Sequence, residues 1–180
     1  MSDMQRIYLV GPMGAGKTTI GRMVARELGF DFIDSDHEIE KRTGVDIRTI
    51  FDYEQEQGFR DRESRVIKSL SKRKQHVIAT GGGAVLRERN RQVLSSSGFV
   101  VYLKVSVRQS LIRTRKDTNR PILQSGDPYQ TLTNLAAERT PLYESIADFS
   151  VDTDKHRTNK LKLMIVEGYR QATKKAKTLQ

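Results

Sequence analysis

The sequence predicts an α/β fold with three layers: a five-stranded parallel sheet, helices on both faces, and a mobile lid. Three observations lead there. Short apolar runs alternate along the chain with stretches of helical spacing, the pattern of parallel strands joined by crossover helices. A glycine-rich loop, GPMGAGKTT at residues 11–19, joins the first apolar run to the first helical stretch. No repeat, linker or domain boundary interrupts the alternation, so residues 1–180 read as a single domain.

Each element has its own signal. Residues 7–10, IYLV, are short, apolar and followed by glycine, which makes them a buried strand. TTIGRMVARELG carries apolar positions at Ile20, Val24 and Leu28 and stops at Gly29, as a helix does. FDFID at 30–34 is a second strand. SDHEIEKRTG follows, with Ser35 and Glu38 spaced as a capping box and Gly44 as its end. Phe59, Val66, Ile67 and Leu70 mark a further amphipathic helix, and HVIAT is a third strand running into Gly81, Gly82 and Gly83. GFVVYLKV is the fourth strand, the most β-rich segment of the chain. Helical spacing resumes around Leu111, then gives way to the polar RKDTNRPILQSGDPY, with two prolines and a glycine. That stretch is the expected lid, about residues 114–128. TLTNLAAERTPLYESIA is helical on either side of Pro141, FSVDT is a short fifth strand, and a last helix over about 160–172 leads into a basic tail, 173–180, expected to fray.

Composition narrows the class. With 180 residues and 36% hydrophobic content, the chain can bury a core without staples. It contains no cysteine, which removes thiol chemistry, and no apolar stretch long enough to cross a bilayer. A cytoplasmic protein is the expectation. The net charge of +10 admits nucleic acid, an acidic membrane surface or small anions as partners. No aromatic residues interleave with the basic clusters KSLSKRK and KKAKTLQ, so a basic surface with an anion site is favoured over a nucleic-acid groove.

The glycine loop supplies that anion site. Gly11-x-x-x-x-Gly16-Lys17-Thr18 matches the full phosphate-loop pattern, between a strand and a helix as required. Gly14 and Gly16 allow backbone angles that a Cβ would oppose. Amide groups from Gly14, Ala15, Gly16, Lys17, Thr18 and Thr19 can then surround phosphates at the positive end of the helix. Lys17 can reach the β- and γ-phosphates, and the Thr18 hydroxyl can coordinate Mg²⁺. A nucleoside triphosphate with Mg²⁺ is the expected ligand.

A switch protein would need a guanine-reading Asn-Lys-x-Asp, and the nearest segment, NKLK at Asn159, lacks the aspartate. No Asp-x-x-Gly follows a strand, and no apolar run ends in Asp-Glu as in a motor ATPase. A small phosphotransferase fits better. Such an enzyme must hold an acceptor hydroxyl in line with the γ-phosphate and exclude water. Asp34 and Asp36, at the end of the second strand, would lie beside the loop if the two strands are neighbours; one carboxylate could serve the metal and the other the acceptor hydroxyl. The three glycines at 81–83 offer bare backbone to a small ligand. Arg60, Arg120 and Arg139 stand singly and could fork onto a carboxylate or phosphate, though nothing in the residues alone ranks them above other arginines. The residues themselves lead to a small-molecule kinase with an acidic base and an anionic acceptor.

Over nearly its whole length the chain also resembles the shikimate kinases. The segments that carry the resemblance are GPMGAGKTTIGR, DSDHEIEKRTG, IFDYEQEQGFRDRE, ATGGGAV, NRPIL and ERTPLYESIAD. The resemblance implies transfer of the γ-phosphoryl group of ATP to the 3-hydroxyl of shikimate. It implies that Asp36 faces that hydroxyl as base or orienter, that Arg60 and Arg139 clamp the shikimate carboxylate, and that Gly82 approaches by backbone. It further implies that Arg120 reaches the ATP phosphates from the lid, that Lys17 stabilises the transferring group, and that Thr18 ligates Mg²⁺. Asp34 would hold a metal-bound water. Near VDTDKHR the family places a residue beside the adenine, which corresponds to His156. A monomer with no nucleic-acid or membrane partner is expected. A gluconate-type kinase of similar build and a nucleotide-binding, nucleic-acid-associated protein are the alternatives.

Overall fold

A computed structural model describes residues 5–115 and 126–178. The chain order is β1 (Arg6–Val10), α1 (Lys17–Leu28), β2 (Asp31–Asp34), α2 (Ser35–Thr43), α3 (Ile47–Leu70), β3 (His76–Ala79), α4 (Glu88–Ser97), β4 (Phe99–Lys104), α5 (Val107–Thr114), α6 (Pro128–Ile146), β5 (Phe149–Asp152) and α7 (Thr158–Thr178). All four strand pairings are parallel, in the order β2-β3-β1-β4-β5. The predicted five-stranded parallel sheet is therefore present.

Side-chain alternation along the strands builds the three layers. Ile7, Leu9, Val101 and Leu103 face one way and pack under Ile20 and Val24 of α1 and Leu161 and Ile165 of α7. Tyr8, Val10, Val100 and Tyr102 face the other way, against Val66 and Ile67 of α3, Leu94 of α4 and Tyr143 of α6. A strand buried on both faces has no need of polar alternation, which is why these strands read as plain apolar runs.

Several elements depart from the sequence reading, each for a local reason. Helix α4 has no counterpart among the predicted elements: its sequence, ERNRQVLSSS, buries only Asn90 and Leu94. Helix α3 starts some twelve residues before its apolar signal, and a break at Gln55 (φ 57°, ψ −177°) interrupts its period. Helix α6 runs through Pro141 as one element. Helix α7 continues to Thr178, beyond the expected end near residue 172. Asp34, not Ser35, caps α2: its carboxylate accepts from the amides of Asp36 and His37. Ser35 is helical and buried, and its hydroxyl accepts the Gly81 amide at 3.1 Å. The anticipated lid falls mostly on residues 116–125, outside the described residues, and so does Arg120.

Candidate active site

Parallel strands end at one edge of the sheet, and ligands of such folds bind outside those carboxyl ends. The loop after β1, the start of α2 after β2 and the three glycines after β3 all lie there.

The phosphate loop is shaped by its carbonyls as much as by its amides. Gly16 caps α1 with φ 84°, a left-handed angle that glycine accepts freely, and no side chain caps the helix. The first amides of α1 are thus left for an anion. The Met13 carbonyl accepts from the Ser110 hydroxyl at 2.7 Å, and the Gly14 carbonyl from Arg113 Nη1 at 3.0 Å. Lys17 Nζ donates to the carbonyls of Gly11 and Pro12 at 2.7 and 2.8 Å, turned back over its own loop. With these carbonyls occupied, the concave side keeps its positive character. Arg113 also reaches Thr153 and pairs with Asp154, tying the loop to the turn after β5. His156 lies exposed in that turn.

Strand β3 separates β1 from β2, so the two strands are not the neighbours that the aspartate reading required. Asp34 reaches the loop all the same, because α1 packs across both β3 and β2. Thr18 Oγ1 donates to Asp34 Oδ2 at 2.8 Å, while Asp34 Oδ1 caps α2. That hydrogen bond ties down the threonine proton and leaves the oxygen's lone pairs for a cation. A hydroxyl and a carboxylate, hard oxygen donors at the head of a phosphate loop, suit Mg²⁺, which keeps most of its shell as water and phosphate. No cluster of three or more His, Cys, Asp or Glu side chains able to hold a metal occurs among the described residues, so a zinc-type centre does not arise there.

Beside the loop lies a set of charged groups pressed against bare backbone. A Cβ on Gly81 would come within 2.6 Å of Asp36 Oδ1 and 3.2 Å of Glu63 Oε1, and one on Gly83 would fall on the Arg60 guanidinium. Close approach is the physical reason for Gly81 and Gly83; at Gly82 a Cβ would meet nothing nearer than 3.7 Å. Gly82 accepts a hydrogen bond from the buried Tyr143 hydroxyl at 2.5 Å. Burial pushes the Tyr143 phenol well up, against the pull of the neighbouring Arg139. Arg139 itself is 9% exposed; its Nε has no hydrogen-bond partner among the described residues, and Glu138 Oε2 stands 3.7 Å away. A buried, incompletely satisfied guanidinium is costly unless a ligand completes it.

Sequence reasoning did not single out Glu63 or Tyr143. Glu63 is 1% exposed, and Arg60 Nη1 donates to both its oxygens, at 3.1 and 2.9 Å. Burial raises its pKa, partly offset by Arg60, then by Arg139 and Arg87. The helical spacing from Arg60 to Glu63 is visible in the sequence, but such pairs are usually solvated. Of the anticipated residues, Lys17, Thr18, Asp34, Asp36, Arg60, Gly82 and Arg139 converge on this edge of the sheet, with Gly14, Ala15, Gly16 and Thr19 in the loop and first turn beside them.

A phosphate loop facing an acidic residue and guanidinium groups defines a small P-loop phosphotransferase. The sequence profile described as shikimate kinase matches residues 13–170. The chain belongs to the shikimate kinase family. A shikimate kinase of Methylococcus capsulatus is 48% identical over 178 residues, 99% of each chain, and one of Chromohalobacter salexigens is 55% identical over 155 residues, 86% of each. Among solved structures, shikimate kinase from Acinetobacter baumannii in complex with shikimate superposes with a TM-score of 0.89 at 48% identity, covering 92% of this chain and 93% of that one. A gluconokinase from Sinorhizobium meliloti covers 100% of this chain and 99% of its own, but at 15% identity and a TM-score of 0.63 it shares the fold alone.

Proposed function

We infer that the chain phosphorylates the 3-hydroxyl of shikimate with Mg²⁺ and ATP, and that the residues at the sheet edge divide the work as follows. Arg60 and Arg139 hold the acceptor's carboxylate. Gly82 lets the ring approach the backbone, and Asp36 takes the hydroxyl proton or orients the hydroxyl. Amides of residues 14–19 cradle the triphosphate, and Lys17 leaves its loop carbonyls to follow the transferring phosphoryl group. Arg120 meets the phosphates from the segment between α5 and α6. Bound Mg²⁺ would neutralise charge on the phosphates, held by Thr18 directly and by Asp34 through water.

The observation that carries this reading is the buried Arg139 guanidinium, whose Nε is without a hydrogen-bond partner among the described residues, close to Gly82 and Tyr143. An acceptor carboxylate supplies what it lacks. Two guanidinium groups at one end of a ring acid decide which hydroxyl meets Asp36, so charge recognition sets the regiochemistry. Residues of one chain suffice for this site, so a monomer is the working state of the proposal, and the basic charge then serves two anionic ligands. No described helix is long and apolar enough to cross a membrane. Calorimetry tests the reading: Arg60→Ala or Arg139→Ala should weaken shikimate binding by about 2–5 kcal/mol. Unchanged affinity would remove that arginine from the acceptor site.

A further inference from the structure

Arg60 is already engaged by two carboxylates. Its Nη1 is bound to Glu63. Its Nε and Nη2 both donate to a single oxygen of Glu56, at 3.3 and 3.2 Å. The two carboxylates differ in kind. Glu63 is 1% exposed, whereas Glu56 is 63% exposed. The Nε–Nη2 edge of a guanidinium suits two parallel hydrogen bonds to a carboxylate. Glu56 uses that edge with one oxygen and long contacts, an arrangement that a well-seated carboxylate would outcompete.

The backbone presents Glu56 in this way. Gln55, the residue before it, adopts φ 57° and ψ −177°, a region that belongs almost wholly to glycine, and this breaks α3 in two. Glu54 closes the break: it packs against Gly58, where a Cβ would strike its own, and pairs with Arg62 at 2.5 Å. Glu56 therefore opens the second segment of α3, one turn ahead of Arg60, where its side chain can swing into solvent.

We propose that Glu56 stands in for the substrate's carboxylate, occupying the outer edge of Arg60 while the acceptor site is empty and swinging away when the acid arrives. Glu63 stays and keeps the guanidinium aimed. This rests on the assignment of Arg60 to the acceptor carboxylate. It also makes Glu56 a specificity residue: an anion can displace it, while a neutral polyol meets an arginine already paired.

The test is shikimate binding by calorimetry, with kcat/KM where binding is too weak, in Glu56→Gln, Arg60→Ala and the double variant. A pair this exposed is worth little, so Glu56→Gln should tighten shikimate about two- to five-fold and leave ATP affinity unchanged. The gain should vanish in the Arg60→Ala background. Equal or weaker binding by Glu56→Gln overturns the proposal, and so does a gain that persists without Arg60, which would reflect charge acting at a distance. If Arg60→Ala alone leaves shikimate affinity intact, the assignment of Arg60 itself fails, an outcome separable from the other two.

Discussion

The phosphate loop and the acceptor pocket share one edge of the sheet, yet the first is made of backbone and the second of charged side chains. The loop draws on nine consecutive residues, 11–19, and its carbonyls are held aside by Ser110, Arg113 and Lys17. The pocket draws Asp36, Arg60, Glu63, Gly81–Gly83 and Arg139 from α2, α3, the turn after β3 and α6. A backbone cradle does not titrate. A cluster of ionised groups in partial burial depends on every partner's charge. Under the proposed function, recognition of the nucleotide would rest on local geometry and recognition of the acceptor on long-range assembly.

This contrast can be broken by mutation. The largest effect is expected from Asp36→Asn, which should lower turnover by about 10²–10⁴-fold while ATP affinity holds, because a positioned proton acceptor contributes that much. Steady-state kinetics beside nucleotide titration would show it; turnover within a few-fold of the parent would mean that the acceptor side has no single base. Lys17→Ala should cost about 10²–10³-fold in turnover, the range for one charge-stabilising donor. A fully active variant would leave the backbone amides as the whole of the phosphate site and sharpen the contrast further.

The smallest effect concerns pH and belongs to the acceptor side alone. Burial raises the Glu63 pKa above its ordinary 4.5. A raised folded pKa means that the folded protein binds this proton more tightly than the unfolded chain. The group's stabilising contribution is fully present below pH 4.5 and is lost as pH rises through the folded value. Denaturant unfolding of the parent and Glu63→Gln should therefore differ most in the parent's favour at low pH, with the difference shrinking as pH rises. A difference that grows with pH would show that Arg60 outweighs desolvation at Glu63.

The same contrast explains what could be read in advance. The phosphate loop was legible because its pattern is contiguous and its flanking strand and helix announce themselves. The three central strands β1, β3 and β4 were legible because burial on both faces leaves each with a run of apolar residues and a single polar one at an end, whereas the edge strands β2 and β5 are mixed and part-exposed. Helix α4 was not, since its sequence is polar and its core contact is the adjacent pair Val93 and Leu94, too short a run to show a helical period. The first half of α3 was hidden by the break at Gln55, which resets the helical phase. The sequence shows the metal-side option for Asp34 but not its structural duty: one of its oxygens caps α2 and the other meets Thr18. Arg60 and Arg139 could be named only through likeness to a family, because nothing local tells a guanidinium beside three glycines from one in water. Glu63 and Tyr143 went unnamed for the same reason: their partners, Arg60 and Gly82, matter only once four elements meet.

Strand order has a further consequence. With β3 threaded between β1 and β2, the strands that carry the phosphate loop and α2 stand two strand spacings apart, about 10 Å, and Thr18 and Asp34 span that gap with a hydrogen bond at 2.8 Å. The hydrogen-bonded ladder thus works as a ruler that sets how far the side chains must reach. A rewired chain in which β2 lay directly beside β1 could retain every side chain of the site and still bring them together at the wrong spacing.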